Sequence, residues 1–279
     1  MAGPALQKRL GQHHLVSGAL CSPLVAFLRP AGERVVEIGP GGGVLTDELL
    51  AAGAARVVGW EIDLAWAFEL RRRLAAGGGA APLVRTGVEP PAPSRLSIVV
   101  ADALDLDWPS LARRGPVLAA GNLPYNVATP ILEALLPCHA AVPRAAFLVQ
   151  KEVGDRLVAA PGDAAYGSLS VLVAAYAEAR LLGRVSKGAF RPPPKVDGAF
   201  VGLILRPPPL PEPEMPAFLA TVRAAFTKRR KTLRNSLAAA WGREEAERVL
   251  ARFLPAHDLP ATARAERLGL AELVALHRA

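Results

Sequence analysis

The stretch that most limits the possible folds is residues 34 to 52. Arg34 to Ile38, RVVEI, reads as a short buried strand. Gly39-Pro40-Gly41-Gly42-Gly43 follows, and Val44 to about Ala52 then carries a helical apolar period. A strand that turns through glycines into a helix opens a nucleotide-binding βα unit. The glycines stand at 39, 41 and 43, a G-x-G-x-G pattern. The dinucleotide form would need glycine at 44, where the chain has Val44. That departure argues against a pyrophosphate ligand and suits one without phosphates that runs close over the loop.

In an open α/β sheet, ligands lie at the carboxyl ends of the strands. Arg56 to Trp60 reads as a second strand and ends in Glu61, close to the ~20-residue offset from Gly39 at which an acidic side chain meets ribose hydroxyls. Leu96 to Ala101 is a third strand and ends at Asp102, a carboxylate able to accept from an adenine amine. Pro116 to Ala120 leads into Gly121-Asn122-Leu123-Pro124-Tyr125-Asn126, and a helical pattern runs from Ala128 to Leu136. Singly, a Glu at a strand end or a Tyr in a turn is an ordinary structural residue. Four successive strand ends, the glycine turn and then Glu61, Asp102 and Asn122, point to one crevice.

The GNLPYN stretch has a chemistry of its own. The exocyclic amine of adenine is a poor nucleophile, because its lone pair is delocalised into the ring. Two acceptors for its N–H groups favour a pyramidal nitrogen with the lone pair directed outward. Asn122 can supply one acceptor through its side-chain oxygen and Leu123 the other through its carbonyl. Pro124 stiffens the turn and removes a competing N–H. Tyr125 offers a ring face for a base drawn out of its stack.

Elsewhere, Ser22-Pro23 reads as an N-cap and first helical residue, with Pro30 past the end of that helix. Residues 75 to 94, rich in Gly, Ala and Pro, read as an elaborated loop. A strand is expected over Ala145 to Gln150, a helix from Lys151, a further helix and strand after Ala165 to Val171, and a closing strand over Phe200 to Leu205. Gly188 to Val196 contains three consecutive prolines and should be a rigid extended segment with Phe190 at its root. Residues 207 to 216 hold six prolines, marking a boundary between 1–206 and a small helical domain at 207–279. Ala217 to Trp241 has helical periodicity. Between Thr221 and Leu237 it carries Arg223, Lys228, Arg229, Arg230, Lys231 and Arg234 with no acidic residue. One-signed clustering of that kind fits phosphate contact.

The formal charge of +8 also favours a polyanionic partner. Mean hydropathy is +0.25, yet no apolar run approaches the ~20 residues of a membrane span and no signal-peptide core opens the chain. A soluble, cytoplasmic protein is expected. Cys21 and Cys138 are the only cysteines, and no Cys/His grouping has zinc spacing, so neither disulfide nor metal is expected. His13 and His14 are adjacent, point to different faces, and are not expected to share a ligand.

Taken together, these residues resemble the small-subunit (16S) ribosomal RNA adenine N6,N6-dimethyltransferases, which use S-adenosylmethionine. The likeness covers nearly the whole chain. LGQHHL stands where the family has GQNFL, and VEIGPGGG is its methionine-binding loop. GWEID and ADAL carry its ribose and adenine carboxylates, and GNLPYN is its catalytic motif. FLVQKEV, AFRPPPKV and FTKRRKTLRNSL follow in the family's order. The resemblance implies a Rossmann-like class I methyltransferase α/β sheet with a small C-terminal helical domain. It implies that Gly39, Gly41 and Leu15 contact the cofactor, Glu61 its ribose and Asp102 its adenine. Asn122, with Leu123 and Pro124, would hold the target amine, and Tyr125 and Phe190 would stack on the flipped base. The family's Asn falls on His13, which can donate as Asn does and is kept as a cofactor contact. Its Phe falls on His14. Lys228, Arg229, Arg230, Lys231 and Arg234 would face RNA. The implied partner is small-subunit rRNA in a pre-30S particle, met by a monomer that releases S-adenosylhomocysteine.

Three alternatives weigh against this one. Large-subunit rRNA adenine methyltransferases that confer macrolide resistance share the glycine loop and the Asn-x-Pro-Tyr motif, but the triple-proline loop and KRRKTLRNSL favour the small-subunit group. DNA adenine methyltransferases usually carry two prolines where this chain has Leu123-Pro124. A non-catalytic assembly factor would not need an intact Asn122 motif.

Overall fold

The structure, a computed structural model, describes residues 4, 13–76, 83–84, 95–124, 127–228 and 231–279. In chain order the strands are β1 (His14–Leu15), β2 (Arg34–Ile38), β3 (Arg56–Glu61), β4 (Leu83–Val84), β5 (Leu96–Val100), β6 (Leu118–Asn122), β7 (Arg144–Gln150), β8 (Ala177–Val185), β9 (Phe190–Arg191) and β10 (Gly198–Leu205). The helices are α1 (Ser22–Leu28), α2 (Val44–Ala51), α3 (Leu64–Ala76), α4 (Trp108–Leu111), α5 (Ala128–Leu135), α6 (Lys151–Val158), α7 (Ser168–Tyr176), α8 (Met215–Ala225), α9 (Leu233–Trp241), α10 (Arg243–Ala256) and α11 (Leu270–Arg278).

These divide into two compact units, Met1–Gly154 with Glu178–Arg206, and Asp155–Ala177 with Pro207–Ala279. The first is built on a sheet in the order β4-β5-β3-β2-β6-β7-β10-β8. The pairs from β4 to β7 are parallel, and β10 closes against β7 antiparallel, with Gly198 opposite Gln150. Parallel strands covered on both faces should be continuously apolar. Val35, Val36 and Ile38 of β2 are accordingly each about 1% exposed. Leu24 and Leu28 of α1, Leu45 and Leu49 of α2 and Leu70 of α3 pack with these strands in one core. The chain steps outward from β2 through β3 to β4 at the edge, inserts β5 between β4 and β3, then crosses to the other side of β2 with β6. That reversal creates a switch point between β2 and β6.

A separate two-stranded ladder pairs β1 with β9, His14 opposite Arg191 and Leu15 opposite Phe190. Sequence periodicity gave no sign of it. The first helix also differs from expectation. Ser22 lies inside α1 and Cys21 is its N-cap residue, because a 3-10 turn over Gly18–Cys21 runs directly into it.

The second unit is helical, with Phe218, Leu237, Phe253 and Leu273 each at most 2% exposed. It takes in Asp155–Ala177, which the sequence reading had assigned to 1–206. The reason lies in specific contacts. Tyr166 donates to the Leu268 carbonyl at 2.8 Å and meets Phe226 edge-on at 5.8 Å, and the Gly162 N–H donates to the Glu266 carbonyl at 2.8 Å. The single helix expected over 217–241 is two. α8 stops at Ala225, and Thr232 starts α9 afresh, its hydroxyl accepting from the Asn235 N–H at 3.3 Å.

Candidate active site

The β2/β6 register places Ile38 opposite Gly121, so the chain leaves β2 at Gly39 beside Asn122. Glycine is required at 121, since a Cβ there would lie 2.5 Å from the Ile38 carbonyl oxygen. Around this point lies a cavity of about 230 Å³, many times the ~15 Å³ that one water needs. Its wall takes Gly39 and Gly41 from the loop after β2, Glu61 from β3, Asp102 after β5, and Asn122, Leu123 and Pro124 from β6 onward. The four strand ends singled out in the sequence, the glycine turn and the polar Glu61, Asp102 and Asn122, thus share one cavity, with His13 on its wall as well.

Glu61 ties two walls together. One carboxylate oxygen accepts from the Gly41 N–H at 3.0 Å, the other from the Asp63 N–H at 2.9 Å. The side chain is only 4% exposed, and burial is the main cause that holds its pKa above the usual carboxylate range, against the pull of those N–H groups. The Ile62 N–H donates to the carboxylate as well, and of its roughly four lone-pair sites the remainder suits a hydroxyl donor. Asp102 accepts from the Leu104 N–H at 2.9 Å through its side chain, and its carbonyl accepts from the Trp60 indole N–H at 2.9 Å. Two carboxylates on one wall repel phosphate and favour a neutral nucleoside.

Asn122 is oriented from outside the sheet. Its Nδ2 donates to the His13 carbonyl at 2.6 Å. A carbonyl can only accept, so the amide must present its NH2 to His13, which keeps Oδ1 for an incoming donor. His13 is itself fixed. Its Nδ1 faces the Pro192 carbonyl at 2.9 Å and, opposite an acceptor, must donate. The catalytic-type amide is therefore braced through the backbone of the segment that carries β1. Leu123 is 1% exposed, and its N–H donates to the Leu148 carbonyl at 2.9 Å, while the Pro124 carbonyl accepts from the Val127 N–H at 3.1 Å. Tyr125 lies outside the described residues.

Phe190 corrects the sequence reading. It is 0% exposed and belongs to the hydrophobic core with Leu15, Leu148 and Phe200, so it does not face the cavity and cannot stack on a base there. The β1/β9 register explains this, for Phe190 stands directly opposite inward-facing Leu15. Leu15 reaches a smaller lobe lined also by His14, Glu37, Gly39, Gly41 and Asn122. Of the basic cluster, Lys228, Lys231 and Arg234 are exposed, and Arg229 and Arg230 lie outside the described residues. Lys228 and Lys231 fall between α8 and α9, and Arg234 in the first turn of α9, and not along one helix.

Sequence reasoning missed the apolar walls. Trp60, Ile62, Val127 and Ile131 line the cavity, and Ile62 is 48% exposed although it follows a buried carboxylate. A large apolar residue just past a strand-ending acid was the signal available. Glu37 was also passed over. It is fully buried, accepts from the Thr46 hydroxyl at 2.6 Å, and burial pushes its pKa up to about 8. Among the described residues no group of three or more His, Cys, Asp or Glu could hold a metal ion, and no helix is long and apolar enough to cross a membrane.

Comparison with known proteins sets this site in context. The chain is 41% identical over 273 residues to the ribosomal RNA small subunit methyltransferase A of Xanthomonas euvesicatoria pv. vesicatoria, covering 97% of this chain and 94% of that one. It is 43% identical over 238 residues to the protein of the same name from Acidithiobacillus ferrooxidans, covering 84% and 82%. In fold it is similar to a dimethyladenosine transferase from Plasmodium falciparum, with a TM-score of 0.72 at 22% identity over 94% of this chain and 96% of that one. It is likewise similar to the 23S rRNA methyltransferase ErmE, with a TM-score of 0.64 at 22% identity over 99% and 98%. The profile of the ribosomal RNA adenine dimethylase family matches residues 4–268. The chain belongs to the ribosomal RNA adenine dimethylase family and is a methyltransferase.

Proposed function

We propose that the protein carries two methyl groups from S-adenosylmethionine to the exocyclic amine of each of two adjacent adenosines near the 3′ end of small-subunit rRNA. It does so as a monomer on a pre-30S particle in the cytoplasm and releases S-adenosylhomocysteine. The observation that carries this reading is the convergence of Glu61, Asp102 and an oriented Asn122 on one cavity beside the glycine turn. The residues fit the cofactor. The carboxylates suit ribose hydroxyls and an adenine amine, and the bare backbone at Gly39 and Gly41 lets a ligand chain pass close by.

When bound, S-adenosylmethionine supplies a methyl carbon made electrophilic by its sulfonium, so no nucleophilic side chain is needed. Asn122 Oδ1 and the Leu123 carbonyl accept from the target amine and aim its lone pair at that carbon. Proximity and orientation supply most of the acceleration. The proton leaves to water after transfer, since the methylated amine is strongly acidic while positively charged. The second round requires these acceptors to tolerate a nitrogen with one N–H fewer. Tyr125 stacks on the extruded base, and Lys228, Arg229, Arg230, Lys231 and Arg234 hold RNA phosphates.

The test is labelled-methyl transfer to unmodified small and large ribosomal subunits offered together, with primer extension to map it. Stops at two neighbouring adenosines near the 3′ end of the small-subunit rRNA are expected. Label confined to large-subunit rRNA, or no label, refutes the reading.

A further inference from the structure

Two hollows of the first unit meet at His14. Its imidazole stands on the wall of the main cavity and also on the wall of the smaller lobe shared with Glu37, Gly42 and Asn122. The ring is set in place from three directions. The β1/β9 ladder fixes its backbone opposite Arg191. Gly41, at φ +48°, offers it a surface without a side chain, where an added Cβ would come within 2.7 Å of Cε1 and 2.9 Å of Nε2. Trp66 holds the other side, with ring centroids 4.4 Å apart and planes at 57°. The Trp66 indole nitrogen is buried without a hydrogen-bond partner among the described residues, so what Trp66 contributes here is its ring face. A phenyl ring, which the family's motif carries at this position, would fill the same slot. Imidazole adds two ring nitrogens that phenyl does not have. Burial, chiefly, and then the nearby His13 lower the pKa of His14, while Asp63 opposes them. The ring is therefore neutral at physiological pH, with one N–H donor.

We propose that His14 positions the amino-acid end of the cofactor, its ring N–H donating to the carboxylate of the methionine half where that half crosses the glycine turn. This rests on the reading of the cavity as the S-adenosylmethionine site and adds a contact of this chain's own. His14 sits against Gly41 and between the two hollows, so a ligand extending from the Glu61 side toward Glu37 must pass it. Its nitrogens meet that ligand at the loop and not at the ribose.

The test is calorimetric titration of the full chain with two probes. S-adenosylhomocysteine carries the amino-acid end, and 5′-methylthioadenosine keeps the adenosine and thioether but lacks that end. His14→Phe keeps a ring in the slot and removes the donor. S-adenosylhomocysteine should bind it roughly tenfold more weakly or worse, as expected for one lost hydrogen bond to a charged group. Binding of 5′-methylthioadenosine should change less than about twofold, and His14→Gln should recover most of the loss. Equal weakening of both probes, or of neither, overturns the proposal. An unaltered chain that binds neither probe overturns instead the reading of the cavity as the cofactor site. Nitrogen NMR of the unaltered chain gives a check that needs no variant. The His14 ring signals should move with S-adenosylhomocysteine and stay with 5′-methylthioadenosine, and signals that ignore both refute the contact.

Discussion

Replacing Phe190 with alanine decides whether its ring is part of the fold or a platform for a base. The side chain is 0% exposed. Its neighbour in β10, Gly198, has no side chain to swing into the gap, and an added Cβ there would already lie 3.4 Å from the ring's Cζ. The site therefore collapses poorly, and the loss belongs near the upper end of the ~3–5 kcal/mol typical of buried Phe→Ala changes. At about 2–4 °C per kcal/mol for a domain of this size, melting should fall by roughly 10–20 °C. The damage should also reach the site, because the β1/β9 ladder holds the His13 carbonyl against Asn122. Phe190→Leu, which keeps most of the volume, should cost about 1 kcal/mol and largely spare activity. The assay is thermal melting by circular dichroism, with single-turnover methylation at a temperature where the variant is folded. Suppose Phe190→Ala melts with the parent yet loses ~1–3 kcal/mol of affinity for adenine-containing single strands. The ring would then be a stacking surface, and its placement in the core would be refuted.

Three further outcomes are expected. Asn122→Ala should lose roughly 3 kcal/mol of transition-state stabilisation in single-turnover methylation, and a near-parental rate would remove Oδ1 as the amine's acceptor. Glu37, with a pKa raised by burial from 4.5 to about 8, holds its proton more tightly folded than unfolded. Its contribution to stability is full below pH 4.5 and is lost as pH rises through about 8. Glu37→Gln cannot ionise, so urea unfolding should show it gaining on the parent by roughly 1.4 kcal/mol per pH unit across that window; a constant offset would refute this. Neutralising Lys228, Lys231 and Arg234 should flatten the salt dependence of RNA binding by ~0.7–0.9 log units per lost contact. The pair that Arg234 makes with Glu247, 3.4 Å long and about half exposed on both sides, is too weak to withhold it. An unaltered slope would take these residues out of the interface.

The sheet strands β2, β3, β5 and β6 could be read in the sequence because each is a short, mostly apolar run closed by a polar residue or glycine. Their polar ends met in one cavity because parallel strands of an open sheet must all point the same way. What could not be read depended on distant partners. His13 and Pro192 are 179 positions apart, and a two-residue strand has no alternation to show that Phe190 points inward. The break between α8 and α9 was hidden because apolar periodicity continues on both sides of Thr232, and Asn235 stands three residues on where a Glu or Gln would have completed a recognisable capping box. Asp155–Ala177 joined the second unit through Tyr166 and Gly162, with no change of composition to signal it.

The ladder between β1 and β9 also sets a timetable. Chains leave the ribosome amino terminus first, at about 5–20 residues per second, so His13 waits ~10–35 s for Pro192 to emerge before its ring has an acceptor. A growing chain can lay down the sheet from β2 to β7 in that interval, while the amide at 122 still lacks the brace that turns it. A product cut short before residue 190 lacks β9 and β10 together, so it loses both the strand that closes the sheet against β7 and the ladder that holds the His13 carbonyl to Asn122.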